Sequence, residues 1–229
     1  MKYISKGGRS KVVYSTDYMA DREQIESWAF AEFTKDEISK MGDKFASLIE
    51  NINNKNEQNV TQLFNEILDN IEPQKCYALC RLLIDNGFEH ICKEQHDNVY
   101  GVIFQIGLEE GMATLAIYPN KKSLYINGAG NVFKLNPLTV EQDALEMNPL
   151  INELFGIAAD IAQQLKAPNI GHIPIISLED IRINFLTGKG LKFMEGNIEE
   201  TRQDLTVASI FILGMEILSR IVKNAKKVK

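Results

Sequence analysis

The sequence predicts an α+β protein: a helical N-terminal region packed on a five-stranded antiparallel sheet that is itself flanked by helices. Three observations carry that expectation. From about Asp17 to Gln95, apolar residues recur at spacings of three and four, the period of helices with one buried face. From Val99 to Leu135 the pattern changes to short apolar runs broken by Gly, Asn and Pro turns. A helical stretch, a hairpin and a second helical stretch then follow. The chain divides accordingly into an N-terminal arm (1–16), a helical region (17–98) and a sheet domain (99–229).

The arm is polar and holds one short β-like run, Val12-Val13-Tyr14, so it reads as an arm or an edge strand. In the helical region Ile25, Trp28, Ala29 and Phe33, then Phe45, Leu48, Ile49 and Ile52, mark buried faces. The polar run from Asn51 to Asn59 separates two helices. The next helix, Val60 to Ile71, aligns Leu63, Phe64, Ile67 and Leu68 on one face. Pro73 opens a further helix, and Asn86-Gly87 closes it with residues that tolerate left-handed geometry.

Val99 to Leu108 is almost continuously apolar, which predicts a central strand covered on both faces. Glu109-Glu110-Gly111 turns into Met112 to Tyr118, and Pro119 to Lys122 turns into Ser123 to Ile126. Val132 to Leu135 extends that strand or adds another. A helix is expected from Pro149 to Leu165, with Asn148 as N-cap. Ala167 to Asp180 is a loop. Ile181 to Leu186 and Leu191 to Met194 form a hairpin around Thr187-Gly188-Lys189-Gly190. The last helix, about Gln203 to Lys223, has a narrow polar stripe and is apolar over most of its circumference. Such a helix must be covered on more than one side, by the N-terminal helices or by a second subunit.

With 45 % apolar and 24 % charged residues, the 229-residue chain has the composition of a folded globular protein. Its net charge of −6 disfavours nucleic acid as a partner. Arg220, Lys223, Lys226, Lys227 and Lys229 read as a solvated helix end that complements the macrodipole. The N-terminal residues lack an apolar core of signal-peptide length, and no stretch spans a membrane without charge. Three cysteines make no disulfide framework, so a reducing cytoplasm is the expected location.

Two sets of residues could carry chemistry. Cys76, Cys80, Cys92 and His96 are four soft ligands in two pairs spaced by four, a set able to hold zinc; the alternative is that the thiols are small core hydrophobes. A Cys–His nucleophile pair could come from the same residues. Asn127, Gly128, Ala129, Gly130 and Asn131 could form an anion nest, or simply a bulged turn. The Gly188-Lys189 turn lacks the glycine spacing of a phosphate loop, and paired acids such as Glu109-Glu110 read as solvated. No cofactor is called for apart from zinc.

Tyr100-Gly101-Val102, Gly111-Met112-Ala113-Thr114-Leu115 and Ser123-Leu124-Tyr125-Ile126-Asn127-Gly128-Ala129-Gly130 resemble a family of small bacterial proteins. That family has a W-G-V strand, then G-V-A-T-L, then S-L-Y-x-S-N-G-G-G. The resemblance spans about residues 99–196, departs at Ala129 and Asn131, and leaves the helical half outside it. It implies a bacterial, cytoplasmic protein and brings no activity or site residue. The order strands–helix–hairpin–helix is also similar to profilin, longin and roadblock domains, a likeness of fold that implies dimerising adaptors but no function.

No catalytic set gathers in the sequence, which points away from an enzyme. The leading expectation is a protein–protein interaction module, an adaptor or an immunity- or defence-associated partner, that oligomerises through Phe211, Met215 and Leu218 on the last helix. The alternatives are a small-ligand or anion-binding protein using residues 127–131 and a zinc-stabilised helical domain.

Overall fold

The computed structural model describes residues 13–15, 27–135, 141–166 and 176–226. Its strands are β1 (Val13–Ser15), β2 (Val99–Leu108), β3 (Gly111–Ile117), β4 (Ser123–Ile126), β5 (Val132–Leu135), β6 (Asp180–Thr187) and β7 (Gly190–Asn197). They form one antiparallel sheet in the order β1-β5-β4-β3-β2-β6-β7. The α+β class holds, with seven strands in place of five. The two extra strands lie at one side of the sheet. Residues 127–131 close a full hairpin loop, so Val132–Leu135 pairs with β4 as a strand of its own. The arm then supplies β1, which pairs with β5 through Val13, Tyr14 and Ser15.

The helices are α1 (Lys35–Ser39), α2 (Asp43–Asn53), α3 (Glu57–Leu68), α4 (Pro73–Asp85), α5 (Glu141–Gln164), α6 (Ile198–Gln203) and α7 (Leu205–Lys226), with a 3-10 segment at Glu89–Gln95. Local chemistry sets several ends. Thr34 and Glu37 form a capping box at the start of α1, and the Asn56 side chain accepts from the Asn59 amide at the start of α3. Pro73 occupies the first turn of α4, and Gly87, at φ +83°, takes the chain out of it.

Two cores sandwich the sheet. On one face Tyr100, Ile103, Ala116, Tyr118, Leu124, Ile126 and Leu186 pack against Ile52, Phe64, Leu79 and Leu83 of the N-terminal helices. The Tyr118 hydroxyl donates to Ala29 O at 2.7 Å, and Lys122 pairs with Glu72 at the start of α4. On the other face Val102, Phe104, Leu115, Ile117, Ile183 and Phe185 pack against α5 and α7. The expected covering of the last helix is therefore corrected. The sheet and α5 cover α7, and the N-terminal helices lie on the opposite face.

Helix α5 is a second correction. It begins at Glu141 and carries Pro149 in its interior. An internal proline removes one helical donor and crowds one carbonyl. Met147 and Ile151, each 1 % exposed, flank it and anchor the helix in the core on both sides of the proline. Asn148 is not a cap: its Oδ1 is buried without a hydrogen-bond partner among the described residues.

The β6–β7 hairpin turns at Gly188-Lys189 as expected, and it sits directly on the 3-10 segment. A Cβ at Gly188 would lie 1.9 Å from Gln95 O and 2.8 Å from His96 Cα. Gly188→Ala is expected to destabilise the protein by about 2 kcal/mol or more, because backbone has to move. Gly156→Ala is the control: no atom lies within 4 Å of its Cβ position. It should stabilise α5 by about 0.5–1 kcal/mol. Urea unfolding of both variants checks the pair.

Candidate functional site

Cys76, Cys80, Cys92 and His96 do come together. Cys76 and Cys80 lie one turn apart on α4, both buried. Cys92 lies in the 3-10 segment at a kink (φ −97°, ψ 15°). Its Sγ is 3.8 Å from His96 Nε2, 3.3 Å from Glu89 O and 3.9 Å from Cys80 O. The Cys80 thiol interacts with the thiols of both Cys76 and Cys92, and the Tyr100 hydroxyl with Cys76. All three thiols are free.

Their arrangement corrects the zinc expectation. Pairwise interactions link Tyr100, Cys76, Cys80, Cys92 and His96 in that order along α4 and the 3-10 segment. Among the described residues, no three His, Cys, Asp or Glu side chains are placed to hold a metal ion. The file polarises its members differently. The Cys80 thiol, followed by His96, pulls the Cys92 pKa down to about 6 against the opposing effect of burial. Cys80, hydrogen-bonded to both neighbours and buried, is pushed far up and stays a thiol. His90 lies outside the file, exposed, with Nε2 2.8 Å from Glu57 Oε1.

The 127–131 turn reads as a hairpin loop. Asn127 N donates to Asn131 O at 3.0 Å, Gly130 N to Asn127 O at 2.8 Å and Asn131 N to Asn127 Oδ1 at 2.7 Å. An anion nest needs amides that point outward unpaired, and these three are engaged within the loop. Gly128 is needed for another reason: its Cβ would lie 2.9 Å from Gly111 O, where the β2–β3 turn packs on this one.

The three residues expected at an interface on the last helix are largely used internally. Phe211 is 6 % exposed, in the core under α7, and Met215 and Leu218 pack half-buried against the same core. Phe211 is thus corrected from a surface to a core residue. Among the described residues of α7, the large apolar side chain left exposed is Ile212, at 63 %. Arg220 pairs with Glu216 on the same helix, and the side chains of Lys226, Lys227 and Lys229 lie outside the described residues.

Sequence reading missed a polar ladder across the sheet. The register places Thr114 of β3 opposite Gln105 of β2, Gln105 opposite Arg182 of β6, and Arg182 opposite Glu195 of β7. Asn184 adds a second rung, donating to Gln105 Oε1 at 3.2 Å and Ile103 O at 3.1 Å. Arg182, 1 % exposed, holds Glu195 Oε2 at 2.7 Å from Nε and 2.5 Å from Nη2. Its guanidinium also lies 5.1 Å from the centre of the Phe193 ring. Thr114 Oγ1 and Asn184 Oδ1 are buried without a hydrogen-bond partner among the described residues. The signal was present in the sequence: each polar residue interrupts an apolar strand, and the alternation of side chains puts all of them on one face.

Beneath α6 and the start of α7, a cavity of about 260 Å³ has an apolar floor of Ile181, Ile183, Met194 and Val207. Of the acids at its rim, Asp204 accepts from the Val207 amide at 3.2 Å and so caps α7. Comparison with protein-family models, curated proteins and solved structures finds no match to this chain. Among the described residues no helix is long and apolar enough to cross a membrane.

Two measurements probe these groups. Thr114→Val removes a buried, unpaired hydroxyl at constant shape and should raise stability by about 1 kcal/mol, whereas Glu195→Ala strands the Arg182 charge and should cost about 2 kcal/mol. Denaturant curves decide both. In a titration of ultraviolet thiolate absorbance, Cys92 should ionise near pH 6. Cys80→Ala should move that midpoint back toward the ordinary thiol range. The depressed pKa also makes stability rise with pH from about 6 to the unfolded thiol value, and acidification through pH 6 should lose that contribution.

Proposed function

We propose that this chain is a non-enzymatic bacterial protein–protein interaction module, an adaptor or an immunity- or defence-associated partner, that acts in the cytoplasm by strand addition at β7. The observation that carries this reading is the sheet edge. β7 is eight residues long, and among the described residues no strand pairs with its outer side. Such an edge offers a row of backbone donors and acceptors to another strand.

The register identifies the outward groups. Thr187 and Gly190 close a two-residue hairpin, and a closing pair is hydrogen-bonded. Bonded and non-bonded pairs alternate from there, so the backbone groups of Leu191, Phe193 and Glu195 face outward. All three side chains lie on the ladder face of the sheet. A second copy of this chain fits the edge. Antiparallel pairing about Phe193 sets the two Phe193 rings opposite each other, Leu191 opposite the second Glu195, and Lys192 opposite Met194. It opposes no like charges and gains an aromatic pair across the strands. The net charge of −6 favours a protein partner over nucleic acid.

Sedimentation velocity of the full chain tests the proposal. The wild type should run as a dimer. Phe193→Pro, which removes an outward amide and spares the β6–β7 ladder, should run as a folded monomer. Phe193→Lys keeps the amide but opposes two cations, and it should weaken the dimer as well. A monomeric wild type overturns the reading.

A further inference from the structure

We infer that Cys92 and Cys80 form an oxidation-responsive dithiol, in which Cys92 reacts with a small hydroperoxide and Cys80 resolves the product as a disulfide. The inference rests on how the thiol file is built and is independent of the β7 edge.

The geometry separates the two roles. Cys92 Sγ has His96 Nε2 at 3.8 Å and Cys80 O at 3.9 Å. Among the described residues it is the thiol with an imidazole beside it. Cys80 is held as a thiol between two sulfurs, which suits the resolving partner. Cys76 fits less well. Residues four apart on a helix have Cβ atoms about 5–6 Å apart, beyond the roughly 3.5–4.5 Å that a disulfide spans. Cys80 and Cys92 lie on different elements, and Cys92 Sγ reaches to 3.9 Å from Cys80 O, so the two residues are neighbours across the α4–3-10 contact.

Access follows from the segment that carries Cys92. It is a short 3-10 run with a non-helical kink at Cys92, and Glu89, His90, Lys93 and Glu94 around it are exposed. Short 3-10 runs have poor hydrogen-bond geometry and open locally at low cost. A reagent close to the size of water then reaches a sulfur that is 0 % exposed in the closed state.

The step balances. The Cys92 thiolate attacks one peroxide oxygen, the O–O bond breaks, and the departing oxygen leaves as water or alcohol after taking a proton from the His96 side. Cys92 is now a sulfenic acid. Cys80 Sγ attacks Cys92 Sγ, the S–OH bond breaks, and the Cys80 proton leaves with the hydroxide as water. Two thiols have lost two electrons, the hydroperoxide has gained them, and one S–S bond has formed.

The test treats the native, full-length chain with hydrogen peroxide, quenches with an alkylating reagent and maps the cysteines by peptide mass spectrometry. A Cys80–Cys92 cross-link that dithiothreitol reverses is expected. Cys80→Ser should stop at a sulfenic acid on Cys92 that dimedone traps. Cys92→Ser should lower cross-linking of Cys80 at least about tenfold, and Cys76→Ser should leave the bridge intact. Wild-type protein alone keeps the proposal falsifiable if a variant fails to fold. It is overturned if peroxide leaves native Cys92 reduced, if Cys76 is the cysteine that bridges, or if the cross-link forms only in urea.

Discussion

Strand β2 is apolar on both faces, and the other elements are arranged to keep both faces dry. Val102, Ile103 and Phe104 are successive residues that point to alternate sides, and all three are fully buried. Each large apolar side chain hidden in this way contributes about 1.5–3 kcal/mol, which an open face would forfeit. One helical layer cannot serve both sides of a strand. The chain therefore divides its helices, with α1 to α4 before β2 in sequence and α5 and α7 after the meander. The position of β2, between β3 and β6, follows from the same requirement.

Against that apolar background the departures stand out, and they fall on the same face of the sheet. The polar ladder puts an almost wholly buried arginine among side chains that would otherwise be aliphatic. A buried charge is tolerated only when it is paired and hydrogen-bonded, and Glu195 reaching in from the edge strand does that for Arg182. One rung further, Thr114 and Asn184 keep buried oxygens without a hydrogen-bond partner among the described residues. A core selected for stability alone would replace both. Local rules broken without local compensation mark places where a fold is shaped by something other than its own stability.

Much of this architecture was legible in the sequence. α4 opens at Pro73 and ends before Asn86-Gly87 as read, because proline and glycine act locally, through φ. β2, β4 and the β6–β7 turn were legible for a similar reason: short turns and alternating burial leave few alternatives. Three things were not. The start of α5 was misplaced because Pro149 carries a local signal for a helix start that tertiary packing overrides. The cover over α7 could not be read, since apolarity says that a face is buried and not by what. The ladder was hidden because register, a long-range property, is what aligns Thr114, Gln105, Arg182 and Glu195. The thiol cluster was half legible. Its members were named from spacing, but spacing alone does not separate a file from a tetrahedron.

The 3-10 segment joins the two halves of this structure. On one side it carries Cys92 into the helical core against Cys80; on the other it bears the β6–β7 turn, where Gly188 N donates to Asn98 O at 3.3 Å and leaves no room for a methyl group over Gln95. Packed interiors transmit displacement instead of absorbing it. The proposed bond between Cys80 and Cys92 would therefore act on the same segment that seats the β6–β7 turn. That turn begins β7. Any coupling between thiol chemistry and the sheet edge through this joint is reciprocal: whatever holds the turn in place also resists closure of the sulfurs.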